Sequence, residues 1–170
     1  FIFLELIFLP NYLQHDDFVQ LEYMKLYTQI APLVTFGLTG GSMILFLKEK
    51  RTNLFSKVFL PYLLIFIVVS IILGLYTFNI SIAIIIFLVC MALFMEVVLR
   101  LNGYYFASFL YKPLVSVFML FLVVILGLNF DISQYIIANI IAVCVLIISG
   151  FKFLRNLTFE PIEMFKIIKC

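Results

Sequence analysis

The sequence predicts an all-α, polytopic transmembrane helix bundle of five full spans preceded by a truncated first helix. Three observations carry this. Of 170 residues, 66% are hydrophobic and only 12% charged, a balance outside the range of water-soluble domains. The apolar residues fall into long runs, and a helical span needs about 20 of them. Finally, the basic residues alternate from loop to loop in the way that membrane orientation requires.

Taken in order, the first apolar stretch stops at Pro10. It is too short to span, and no basic region precedes it as in a signal peptide. It reads as the second half of a helix, which makes the chain an expected excerpt of a longer protein. A polar connection, Asn11 to Glu22, follows with His15, Asp16 and Asp17. The second span runs from about Tyr23 to Leu47, the third from about Val58 to Tyr76 and the fourth from about Ile80 to Leu99. The fifth covers about Tyr104 to Leu128, and the sixth about Ile132 to Phe151. Residues 1–151 thus form a transmembrane lobe. Residues 152–170 form a cytoplasmic interfacial tail, or a linker to a second lobe.

Short loops make sequential helices antiparallel, so alternate loops lie on opposite sides. Segments 48–57, 100–103 and 152–170 hold nine of the eleven basic residues, whereas the other connections hold none and carry Asp16, Asp17, Glu22 and Asp131. The basic loops are therefore cytoplasmic.

The composition also excludes functions. Net charge is +2 and the basic residues form no run among aromatics, so nucleic acid is not an expected partner. Cys90, Cys144 and Cys170 have no ligand-like spacing, so neither a metal nor a disulfide framework is expected. There is no HExxH pattern, no Gly-rich phosphate loop and no membrane-embedded carboxylate pair. No catalytic residue and no cofactor is assigned, and the chain is not expected to be an enzyme.

On the second span, Lys25, Thr28, Pro32, Thr35, Thr39 and Ser42 recur at steps of three and four, which places them on one face. A polar line along a span fits a cavity wall. It equally fits a packing seam, because hydroxylated and small residues let helices approach and Gly37 with Gly41 has GxxxG spacing. Lys25, in the first turn of that span, either contacts substrate or snorkels to the interface. Glu96 and Arg100, four apart, suit a local ion pair. Asn139 suits a hydrogen bond between helices.

Lys112 stands about eight residues into the fifth span, or about 12 Å deep at about 1.5 Å per residue. Ser108 and Ser116 lie on its face at helical spacing, and Pro113 adjoins it. A central basic residue costs about 2.5–3.5 kcal/mol in lipid, so it seeks a cavity or a partner such as Glu96. The candidate substrate-binding residues are Lys112, Lys25, Thr28, Thr35, Thr39 and Ser108. Glu5, in the truncated helix, is either a coupling-ion ligand or an interior residue.

The stretch from Phe3 to Leu13, with Leu9-Pro10-Asn11-Tyr12-Leu13, then Asp16-Asp17-Phe18 and Tyr23, resembles the first outer loop of the polysaccharide and O-antigen flippases of the MOP exporter superfamily. Gly37-Leu38, the basic inner loop, Leu99-Arg100 and Gly103-Tyr104 match in kind. Val19 or Gln20 stands where that family usually has glycine, and Asn11 where a basic residue is common, so that basic residue's role does not carry over. The resemblance implies the six-helix N-terminal lobe of a transporter in a bacterial inner membrane. Its expected substrate is a lipid-linked (undecaprenyl-pyrophosphate) oligosaccharide, moved by alternating access, with H+ or Na+ as coupling ion and membrane lipid as surroundings. The alternatives are a membrane-embedded polysaccharide-assembly enzyme, a polymerase or acyltransferase, and an accessory membrane subunit. Short outer loops weigh against the polymerase.

Overall fold

A computed structural model describes residues 15–29, 31–35, 41, 54–122, 132–154 and 161–169. Among them every regular element is helical: α1 (His15–Thr28), α2 (Ala31–Val34), α3 (Leu54–Thr77), α4 (Ile80–Leu101), α5 (Tyr105–Ser108), α6 (Tyr111–Leu120), α7 (Ile132–Gly150), a 3-10 turn (Phe151–Leu154) and α8 (Pro161–Ile168). Three helices, within α3, α4 and α7, are long and apolar enough to cross a membrane. The 22 residues of α4 extend about 33 Å at about 1.5 Å per residue, close to the hydrocarbon thickness of about 30 Å. These lengths and compositions are those of a membrane protein.

The α3–α4 hairpin turns on local chemistry. At the end of α3 the Asn79 N–H donates to the Gly74 carbonyl at 3.1 Å and Phe78 N–H to Leu75 at 3.3 Å, the pairing that closes a helix through a left-handed residue. That residue is Phe78, at φ 52°. Asn79 then caps α4, its side chain accepting the Ser81 N–H at 2.9 Å. The far end of α4 repeats the device with Gly103 at φ 85°, where a residue without a side chain fits best. Here Tyr104 N–H donates to Leu99 at 2.9 Å.

Helix α4 is the hub. Its apolar stretch is 67% buried, against 28% for α3 and 39% for α7, as suits a helix apolar on all sides. It packs against α1, α2, α3, α5 and α7. Near one end Phe55 and Phe59 of α3 meet Phe94 edge-on, at 6.3 and 5.4 Å between centroids. Near the other, Gly74 lies against Ala83. Helices α3 and α4 are therefore antiparallel. Gly150 lies beside Met95 and Leu99, so α7 runs parallel to α4, and Tyr104 and Phe153 stack at 5.5 Å just past both ends. The outward face of α3, with Leu64, Ile67, Val68, Ile71, Ile72 and Leu75, is exposed and is where acyl chains would lie. Helix α8 packs on α3 and exposes Ile162, Phe165 and Lys166.

Three expectations need correction. Residues His15–Glu22 are helical rather than part of a polar connection. Asp16 and Asp17 occupy the first turn, where negative charge complements the helix dipole, so polarity there marks a helix start. The second span is interrupted, with α1 ending at Thr28 and α2 opening at Ala31. The fifth is interrupted as well, at Phe109 and Leu110 between α5 and α6. Both breaks have one cause: a proline supplies no N–H and its ring clashes with the carbonyl four residues earlier. For Pro32 that carbonyl belongs to Thr28, and for Pro113 to Phe109.

Candidate functional site

The first break and the helix that follows the second face one pocket. Its volume is about 450 Å3, and its wall comes from four parts of the chain: Lys25, Thr28, Gln29 and Pro32 around the first break; Val89, Leu93 and Glu96 on α4; Tyr111, Lys112, Val115 and Ser116 on α6; Tyr135 and Asn139 on α7. Interrupted helices at membrane depth are tolerated where they border protein or a water-filled cavity.

Each charged group is placed by its helix. Lys25 lies in the last turn of α1, not in a first turn, and its Nζ donates to Glu22 Oε1 at 2.9 Å, both side chains part-exposed. Lys112 follows the second break at the start of α6 and is exposed to the pocket. Glu96 is half-buried on the α4 wall, one turn before Arg100, and lines the same pocket as Lys112. The Arg100 guanidinium lies over the Phe109 ring, 4.9 Å from its centroid, a cation–π contact at the break itself.

The polar floor is fixed by a small network. The Tyr111 hydroxyl donates to Asn139 Oδ1, and Asn139 Nδ2 donates to the Tyr135 carbonyl at 2.7 Å. The bond expected from Asn139 between helices thus joins α6 to α7. It is buried, and leaving either partner unpaired there is costly.

Of the candidate substrate-binding residues, the pocket brings together Lys25, Thr28 and Lys112, and Pro32, Glu96, Ser116 and Asn139 from the other sequence features join them. Thr28 donates its hydroxyl to the Lys25 carbonyl at 2.6 Å. Thr35 is buried and donates to the Pro32 carbonyl at 2.7 Å, and Ser108 is fully buried and donates to the Tyr105 carbonyl at 2.7 Å. Neither lines the pocket. Thr39 and Glu5 lie outside the described residues. Sequence reasoning did not place Glu96, Tyr111 and Tyr135 in the site. The signal for Glu96 was its position as an acidic residue within an otherwise apolar span, the default mark of a functional site in membranes.

No protein family, curated protein or solved structure matches the chain. The pocket must therefore be interpreted from its own chemistry. Among the described residues no group of three or more His, Cys, Asp or Glu could hold a metal ion. What remains is a cavity with two ammonium groups, one carboxylate, two tyrosines, two amides and two aliphatic hydroxyls, set among apolar helices.

Proposed function

We propose that this chain is the helical lobe of a transporter that moves a lipid-linked anionic saccharide across a bacterial inner membrane. It works as a carrier, not an enzyme, alternating access between this six-helix lobe and a second one. The observation that carries the reading is the pocket bordered by two proline-broken helices and bearing Lys25 and Lys112. Broken helices surrounding a polar site near the middle of the membrane are a recurrent construction in transporters. A volume of about 450 Å3 lies within the range of about 300–1,000 Å3 usual for small-molecule sites.

In this reading Lys112 contacts the anionic headgroup, Lys25 joins it when released from Glu22, and the pyrophosphate-linked undecaprenyl chain remains in lipid. A proton or sodium ion supplies the driving force. The basic ends at 100–103 and 152–170 face the cytoplasm, where the substrate is loaded. The test is surface polysaccharide export in cells dependent on this protein. Lys112→Ala is expected to abolish export with unchanged membrane abundance, and Lys112→Arg to retain part of it. Normal export by the alanine variant, or loss explained by failure to accumulate, refutes the contact.

A further inference from the structure

The charge balance of the pocket has a consequence for how it holds and releases an anion. Three fully ionisable side chains line it: Lys25, Lys112 and Glu96. Lys25 is already matched by Glu22 at 2.9 Å. Arg100, one turn after Glu96 on α4, lies over the Phe109 ring and does not line the pocket; Lys112 shares the pocket wall with Glu96. The other titratable groups on the pocket wall, Tyr111 on α6 and Tyr135 on α7, are neutral in their ordinary state.

Resting on the reading of the pocket as an anion site, we propose that Glu96 competes with the ligand for Lys112: its carboxylate balances the ammonium of the empty pocket, and an incoming anion engages Lys112 only by displacing it. Charges confined together beside apolar helices interact far more strongly than in water, so the competition sets the affinity. It also sets release, since the carboxylate regains Lys112 as the ligand leaves, and a carrier must bind weakly enough to let go. The same arrangement selects among ligands. A phosphate bearing an ammonium group close by satisfies Lys112 and Glu96 together, whereas a simple phosphate monoester leaves the carboxylate facing like charge. Building repulsion against one ligand is a recognised route to specificity.

The test is calorimetric titration of the purified full chain, in neutral detergent at fixed ionic strength, with ethyl phosphate and with 2-aminoethyl phosphate. The wild-type protein is expected to bind the aminoethyl ester at least about threefold more tightly than the ethyl ester. Glu96→Gln, nearly the same shape without the charge, is expected to tighten ethyl phosphate about tenfold, equivalent to about 1.4 kcal/mol, and to abolish the preference for the aminoethyl ester. Glu96→Asp is expected to keep the preference. Equal or tighter binding of ethyl phosphate by the wild type overturns the proposal without any variant having to fold. An unchanged Kd for ethyl phosphate in a folded Glu96→Gln also overturns it. Loss of ethyl phosphate binding in Lys112→Ala keeps the anion-site reading in place whatever Glu96 does. Equal binding by Lys112→Ala and wild type overturns the anion site itself.

Discussion

The crossing of α3 and α4 gives a sharp test of packing. A Cβ added at Gly74 would lie 2.6 Å from the Ala83 Cβ. Ordinary contact between such carbons needs roughly 3.5–4 Å, so the helices must separate by about 1 Å. Ala83 has no rotamer with which to yield. Overpacking of this kind costs about 1–3 kcal/mol, against which alanine returns about 1 kcal/mol of helix propensity relative to glycine. Gly74→Ala should therefore destabilise by about 0–2 kcal/mol. Gly150→Ala is its control: there the added carbon would meet Met95 Cε at 2.4 Å, the far end of an unbranched thioether side chain that re-orients cheaply. It should be neutral or stabilising, leaving the two variants about 1–3 kcal/mol apart in reversible denaturation by mixed detergent. Pairing Gly74→Ala with Ala83→Gly should remove most of the packing cost. If Gly150→Ala is the more damaging of the two, or the double variant gives no relief, the close approach of α3 and α4 is refuted.

Two further outcomes are expected. Pro113→Ala supplies the N–H that the Phe109 carbonyl lacks and should fuse α5 with α6, raising hydrogen-exchange protection around 109–114 while reducing export; unchanged exchange there would separate the break from the proline. Asn139→Leu should destabilise by about 1–2 kcal/mol by stranding the Tyr111 hydroxyl in a buried site, read as a lower thermal transition in detergent, whereas an additional Tyr111→Phe should recover much of that loss.

The spans best read from sequence were those in which hydropathy alone decides the outcome. Helices α3, α4 and α7 begin and end within a few residues of the apolar runs, because lipid penalises any polar interruption. Interruptions that cost no hydropathy were not legible. Phe109 and Leu110 are apolar, so hydropathy shows the fifth run as continuous through the break. Conversely, His15, Asp16 and Asp17 lowered hydropathy and hid a helix start. In the site, Lys112 and Lys25 could be noticed because a lysine is rare in a span. Glu96 could not be placed, since spacing of four residues says that Arg100 is near it on the helix surface without saying which way either side chain points. The guanidinium went to the Phe109 ring, and that ring reaches it only through the break.

The parallel course of α4 and α7 bears on the basic residues at one end of the bundle. Two helices of like direction finish side by side there, Leu99 against Gly150, and each finishing end carries about half a negative charge on its unbonded carbonyls. The antiparallel α3, which packs on α4 and on the turn that follows α7, offsets part of this with its own starting end. Aligned ends of this kind repel across a medium with little screening. Arg100 in the closing turn of α4 places a cation where the surplus accumulates. That charge acts on the fold itself, as a counter-charge that lets two similarly directed helices stay adjacent.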